Sequence, residues 1–209
     1  KLDAGRKGDA VLLERRTENL FAEATLPAKD SKVWILLGGA AWESYDGDEK
    51  GVEGQVVLPA GGIVRQRVEG LKEGKLYCFS THLYPVKGGT GKVSMEWSGG
   101  EESNTREFEI PKEGKRCWVV GRCLGGSAVA TVKCVTGKVK MDRLQFECGS
   151  TFPTSFVAKG PRGVSGLIWK GAAPLFNANQ GTVSFWIKPQ WGADEMSDDG
   201  QSLFTIRKD

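Results

Sequence analysis

The side chains best suited to chemistry in this sequence are aromatic rings, among them seven Trp. Flat aromatic rings bind sugars by stacking on the apolar face of a pyranose, while Arg, Asn and carboxylate groups hydrogen-bond the hydroxyls at the rim. Trp97, Tyr84 and Arg65 lie in strand-like runs, and Trp42 lies in the Gly-rich, polar stretch 38–54, which predicts an exposed loop. These four residues are our candidates for carbohydrate binding.

For each ring the alternative is packing in a core, because Trp side chains are highly buried on average. Trp34, Trp118 and Trp186 stand in apolar runs, and we predict that these three pack inside the protein. His82 is the single His of the chain. It cannot build a metal site with other His residues, so we expect a structural or partly exposed role for it.

Catalytic and metal-binding patterns are weak. The sequence contains no Gly-x-Ser-x-Gly motif, the nucleophile turn of many hydrolases. Nothing selects a catalytic pair from the 26 acidic residues. The acidic stretch Asp194–Asp199 lacks the glycine that an EF-hand calcium loop requires, so a solvated loop is the simpler interpretation. We therefore predict a non-enzymatic protein without a cofactor.

The composition excludes further classes of protein. A balance of 29 basic and 26 acidic side chains gives a net charge of +3, too small to predict a nucleic-acid-binding surface. No apolar run approaches the roughly 18 residues of a transmembrane helix, so we expect no membrane insertion. The five Cys are an odd number and stand in apolar runs, which predicts buried free thiols, typical of a reducing cytosol.

The elements that would position these residues are strands. The 29 Gly and 8 Pro among 209 residues argue against long helices, because both residue types destabilise a helix interior. Apolar residues instead recur with a period of two, as in Val93, Met95 and Trp97. The sequence predicts an all-β sandwich or barrel. The predicted strands are 33–37, 55–58, 63–68, 76–84, 92–97, 116–123, 128–134 and 139–148.

One predicted strand changes its buried face partway along. Val139 and Met141 share one parity, whereas Leu144 and Phe146 take the other. A strand cannot change faces unless an extra residue is inserted, so we predict a β-bulge near Asp142 and Arg143.

The chain divides near residue 160. Residues 1–160 predict one sandwich domain, and the alternation stops in the Pro- and Gly-containing stretch 150–166, which is typical of a linker. In 161–209 the alternation returns at Val183, Phe185 and Ile187, but this piece is too short for an independent all-β core. We expect it to pack on the first domain or on further chain.

Four segments resemble known families. Residues 12–20, LLERRTENL, resemble a segment found in many phage and prophage tail proteins. Residues 66–80, QRVEGLKEGKLYCFS, resemble the core of jelly rolls such as family 4 and 9 carbohydrate-binding modules. Residues 142–156, DRLQFECGSTFPTSF, are similar to the segment that closes the same domain in phage tail and virion surface proteins. Residues 181–191, GTVSFWIKPQW, resemble an early strand of a laminin-G or concanavalin-like lectin.

The resemblance implies a jelly-roll β-sandwich followed by a short C-terminal β segment, an incomplete lectin-like sandwich. It implies a non-enzymatic structural protein of a virion, as capsid decoration or as a tail or fibre component. Its partners would be other virion proteins, copies of itself and possible host-surface glycans, with assembly in the host cytoplasm. The alternative is a carbohydrate-binding module of a secreted, multidomain glycan-degrading enzyme. In such jelly rolls a structural Ca²⁺ is frequent, and the resemblance makes Asp142 its first candidate ligand.

Overall fold

The computed structural model describes residues 17–22, 31, 33–44, 54–86, 89–99, 104–149, 151–157 and 161–162. Within these residues the chain forms eleven strands and no helix, so the all-β prediction is confirmed. The strands are β1 Thr17–Glu18, β2 Ile35–Leu37, β3 Ala41–Ser44, β4 Gly54–Pro59, β5 Ile63–Glu69, β6 Leu76–Pro85, β7 Gly91–Ser98, β8 Asn104–Ile110, β9 Lys115–Arg122, β10 Ser127–Cys148 and β11 Pro161–Arg162. No helix long and apolar enough to cross a membrane occurs among the described residues.

The strands form a jelly-roll β-sandwich of two antiparallel sheets that share one strand. Sheet 1 has the order β2-β5-β10-β7-β8, and sheet 2 has the order β3-β4-β10-β6-β9. β1 and β11 form a separate antiparallel pair. These strands belong to one compact unit, Thr17–Arg162. Apart from Pro161 and Arg162, the predicted lectin-like segment 161–209 lies outside the described residues, as does the acidic stretch Asp194–Asp199.

β10 spans 22 residues and passes from sheet 1 to sheet 2 near its middle. Its first half pairs with β5 and β7, and its second half pairs with β4 and β6. The pairing with β7 shifts register between Cys134 and Thr136. Gly137 follows with a φ of 78°, and a Cβ there would lie 2.2 Å from the carbonyl oxygen of Thr90. Only glycine fits this crossing of the two sheets.

The predicted β-bulge is confirmed at Asp142 and Arg143. Opposite β6, Asp142 pairs with His82 and Gln145 pairs with Ser80, so β10 advances three residues while β6 advances two. Arg143 has a φ of 50°, in the left-handed region that few non-glycine residues adopt. The extra residue moves apolar side chains of both parities into the core, as the change of face requires.

The core between the sheets is built on six aromatic rings. Neighbouring rings in this set lie 5.1–6.4 Å apart between centroids. The six are Phe21, Trp34, Tyr77, Phe79, Trp97 and Phe146. The prediction that Trp34 packs in the core is confirmed. It is wrong for Trp118, which is only half-buried, because its neighbours Cys117 and Val119 take the inward positions of β9. Trp186 lies outside the described residues.

The five cysteines are free thiols, as predicted, and only Cys148 is not fully buried. Burial raises the pKa of the Cys117 thiol to about 11 and also raises that of Cys134. Both thiols are therefore protonated at neutral pH, and a protonated thiol is a poor nucleophile.

A buried polar cluster covers the outer face of sheet 2. It consists of Thr17, Asn19, Gln145, Glu147 and Thr154, all buried. The Glu147 carboxylate accepts hydrogen bonds from Thr17 Oγ1 at 2.7 Å and from the Thr154 backbone N–H and Oγ1, both at 2.8 Å. A buried carboxylate is stable only with such donors. Glu147 therefore holds the segment of Thr17 and the segment of Thr154 against β10.

Asn19 forms further hydrogen bonds within this cluster. Its Nδ2 donates to the carbonyl oxygens of Leu144 at 2.8 Å and Val157 at 3.0 Å. Its Oδ1 accepts from the backbone N–H groups of Phe146 at 3.0 Å and Phe21 at 3.3 Å. The described parts of the two segments that resemble virion proteins, residues 12–20 and 142–156, are therefore in direct contact, and their polar side chains are used for folding.

We predict that Asn19→Ala destabilises the protein by about 2–4 kcal/mol, because it leaves buried backbone groups without hydrogen-bond partners. Urea unfolding measures this effect. Glu18→Ala is the matched control, since Glu18 is the exposed neighbour, and we expect a change within about 0.5 kcal/mol. Equal unfolding midpoints for the two variants would contradict the role of Asn19.

Candidate functional site

The structure places Trp97 in the core, where its ring cannot stack on a sugar. Its exposed fraction is 1%, and its ring lies edge-on to Tyr77 and Phe146, with centroids 6.4 and 5.6 Å apart. The alternation along β7 is as predicted, but the apolar parity faces the inside of the sandwich. The candidate binding role of Trp97 is therefore corrected to a packing role.

Trp42 and Tyr84 are also engaged within the protein. Trp42 lies on β3, opposite Val56, and packs against the core. Residues 41–44 therefore form a strand rather than the predicted loop, although Ala41, Glu43 and Ser44 are exposed as predicted. The Trp42 indole covers Gly54, where a Cβ would lie 2.2 Å from the indole nitrogen. Tyr84 lies half-buried on β6, and its hydroxyl accepts a hydrogen bond from Arg143 Nη2 at 2.5 Å. Both belong to sheet 2, so the four candidates do not form one site.

Arg65 is the one candidate that lies in an open groove. It is exposed on the outer face of sheet 1, which lines a groove of about 470 Å³. The groove is lined by Ile63, Arg65, Ser94, Glu96, Glu107, Thr131, Lys133 and Val135. Seven of them point away from the core, because they alternate with buried residues such as Val64, Met95 and Val132. Glu107 pairs with Ser94 and lies on the same face.

The strand register arranges the groove in two rows of side chains. One row runs across the sheet from Arg65 through Thr131 to Glu96. The adjacent row contains Ile63, Lys133, Ser94 and Glu107 in the same direction. Neighbouring strands lie about 4.8 Å apart, so this is the spacing of successive side chains within each row.

The charges of the groove are divided between its two sides. Glu107 forms an ion pair with Lys92 at 2.5 Å, and this hydrogen bond and charge raise the pKa of Lys92. Thr105 Oγ1 donates to Glu96 at 3.3 Å. Arg65 and Lys133, on the other side, have no ion pair with any described residue. The groove therefore offers two cationic donors without an ionic partner among the described residues, one carboxylate that accepts a single weak hydrogen bond from Thr105, two hydroxyls and aliphatic side chains.

No aromatic ring lines this groove among the described residues. The binding chemistry available is hydrogen bonding by charged and hydroxyl groups with aliphatic packing on Ile63 and Val135, rather than ring stacking. Sequence reasoning missed Ser94, Glu96, Thr131 and Lys133. A signal was present, because each alternates with a buried apolar residue and therefore has the outward parity of its strand.

The outer face of sheet 2 is closed in its central part, where the buried polar cluster covers it, so the two outer faces differ. Beside that cluster, His82 lies near Arg116 and Arg143, and its pKa is lowered to about 4 by burial and then by these two guanidinium groups. Asp142 is buried and accepts a hydrogen bond from Arg143 Nε at 3.0 Å. No group of three or more metal-ligating side chains occurs among the described residues, and the carboxylate of Asp142 is engaged by a guanidinium.

These features define the class of protein: a jelly-roll β-sandwich with one covered sheet face and one open, polar groove. Carbohydrate-binding modules are among the solved structures to which this chain is similar. The CBM22-1 xylan-binding domain of Paenibacillus barcinonensis Xyn10C matches with a TM-score of 0.44 and 9% identity, covering 63% of this chain and 92% of that one. TmCBM61, solved with β-1,4-galactotriose, matches with a TM-score of 0.45 and 16% identity, covering 61% and 97%.

A viral structure is among the similar ones. The enzymatically active domain of bacteriophage CBA120 tailspike protein 4 matches with a TM-score of 0.43 and 10% identity over 62% of this chain. The match covers only 21% of the tailspike chain. No protein-family profile and no curated protein matches the sequence.

We predict that acid destabilises the protein through His82. Its pKa is about 4 in the folded state against 6.5 ordinarily, so between these values the unfolded state binds a proton that the folded state does not. The free energy of unfolding therefore falls as the pH drops from about 6.5 to about 4. Urea midpoints measured across this range should decline less in His82→Gln than in the wild type. Parallel declines in the two proteins would contradict this role.

Proposed function

We propose that this chain is a non-enzymatic virion structural protein, a capsid decoration or a tail or fibre component, whose jelly roll binds a host-surface glycan in the groove of sheet 1. The observation that carries the binding proposal is the open groove of about 470 Å³ lined by outward side chains of β5, β7, β8 and β10. Its volume lies within the range of about 300–1,000 Å³ typical of ligand sites.

The groove chemistry suits a glycan. Glu96 accepts hydrogen bonds from sugar hydroxyls, and Ser94 and Thr131 both donate and accept them. Ile63 and Val135 provide aliphatic surface for the apolar face of a pyranose ring. An oligosaccharide laid across the strands would meet both rows of side chains at once.

The groove does not suit glycoside hydrolysis. Glu96 and Glu107 lie on adjacent strands, as two carboxylates of a glycosidase would. Both are exposed, however, and Glu107 is ion-paired with Lys92. The general acid of a glycosidase needs an apolar enclosure, which neither carboxylate has. Binding without catalysis is therefore the function that we propose for this site.

The virion setting rests on the resemblance of residues 12–20 and 142–156 to virion proteins. Contact between the described parts of these two segments in the buried polar cluster supports their use as a matched pair that opens and closes one domain. The free thiols fit assembly in a reducing host cytoplasm. Its partners would be other virion proteins and further copies of this chain.

Mass spectrometry of purified virions tests this setting, with peptides of this chain expected in stoichiometric amounts. The alternative setting, a binding module of a secreted glycan-degrading enzyme, predicts instead a longer gene with a catalytic domain and absence from the particle. Portal or tail genes beside this one favour the virion, and absence of the chain from virions overturns that part of the proposal.

We predict that Glu96→Ala weakens glycan binding by about tenfold or more, because a hydrogen bond to a charged group contributes about 1.5–3 kcal/mol. A glycan array selects the ligand, and isothermal titration calorimetry measures the affinity. Glu109→Ala is the matched control, since Glu109 faces the same side of β8 but does not line the groove. Equal losses in both variants, or none, would contradict the site.

A further inference from the structure

We propose that the ligand of this groove is an anionic glycan, one whose sugars carry a carboxylate or a sulfate. This inference rests on the proposed function and adds the class of ligand. It is carried by Arg65 and Lys133, two exposed cations that line the groove and have no acidic partner among the described residues.

The two cations are placed to act on one oxyanion. Thr131 pairs with Arg65, and Lys133 pairs with Ile63, so Arg65 and Lys133 are diagonal neighbours on adjacent strands. Such neighbours lie roughly 7–8 Å apart at the backbone. An oxyanion between their tips is within reach of both long side chains, and the planar guanidinium of Arg65 matches the two oxygens of a carboxylate or sulfate.

No acidic side chain that lines the groove forms an ion pair with either cation, although Glu96 on β7 is a diagonal neighbour of Lys133. Thr131 separates Arg65 from Glu96, which places the two about two strand spacings, or roughly 9.5 Å, apart. Glu107 is already paired with Lys92. A neutral glycan would accept hydrogen bonds from both cations through its hydroxyls but leave their charge unpaired. An anionic glycan uses both sides, with its oxyanion at Arg65 and Lys133 and its hydroxyls at Glu96.

Apolar surface lies directly beside the cations. Ile35 on β2 pairs with Arg65, and Leu37 pairs with Ile63; both are large exposed side chains, at 44% and 43%. Together with Ile63 they form an aliphatic strip along the cationic side of the groove. A pyranose ring packs on such a strip while its anionic substituent reaches Arg65, a geometry that a small inorganic anion would not exploit.

The same sheet face provides a contrasting arginine. Arg67 lies two residues from Arg65 with the same outward parity, but it is ion-paired with Glu69 and donates to Ser127 Oγ at 2.9 Å. Its charge is satisfied within the protein, and it does not line the groove. Arg67 therefore controls for the loss of a positive charge from this face of the sheet.

The test compares one oligosaccharide in two forms by isothermal titration calorimetry: an oligogalacturonate, and the same oligosaccharide with its carboxylates reduced to alcohols. A sulfated oligosaccharide forms a third arm, which tells whether sulfate is accepted in place of carboxylate. We expect the wild type to bind one or both acidic forms at least tenfold more tightly than the reduced form. The double variant Arg65→Gln/Lys133→Gln should lose this preference, and Arg67→Gln should keep it.

Three other outcomes would each overturn a part of the proposal. If the wild type binds neutral glycans at least as tightly, and Glu96→Ala weakens that binding, the anionic class is wrong and the proposed function stands. If the double variant keeps the preference for acid, Arg65 and Lys133 do not recognise it, and the inference fails. If an array of neutral, carboxylated and sulfated glycans shows no binding at all, the proposed function fails together with the inference.

Discussion

The hydrogen-bonded ladders of β10 are the constraint on which the rest of the structure depends. This one strand pairs with four others and belongs to both sheets, so the sandwich cannot form without its full length. Its first half places Thr131 and Lys133 on the floor of the groove, and its second half places Gln145 and Glu147 in the buried polar cluster. Gly137 and the bulge at Arg143 let the strand serve both sheets, because they change its direction and its parity.

The two outer faces of the sandwich consequently have different roles. On sheet 2, the segments that begin and end the domain lie against β10 and bury Glu147 with three hydrogen-bond donors. That polar surface stabilises the fold and offers little to a ligand. On sheet 1, no described segment covers the outer side chains of β5, β7 and β10 within the groove. The division leaves one polar surface for recognition, and its charges are only partly paired within the protein.

Parts of this arrangement were predictable from sequence, and others were not. The bulge near Asp142 followed from the change in buried parity, because a strand must obey its period of two. The same periodicity could not show that Trp97 faces inward. Alternation tells which residues share a face of the strand, but not which of the two faces is buried. β8 went unpredicted because Thr105, Glu107 and Glu109 are polar, and only pairing with β7 makes this segment a strand. The contact of Thr17 with Glu147 joins residues far apart in sequence, which no local pattern encodes.

We infer that a glycan binds in the groove of sheet 1. Nuclear magnetic resonance of the ¹⁵N-labelled protein, titrated with the glycan that the array selects, tests it most directly. We expect amide shift changes that concentrate at Arg65, Ser94, Thr131 and their neighbours on β5, β7 and β10, with Trp42 and Tyr84 unchanged. Shift changes confined to sheet 2 or to residues outside the groove would contradict it.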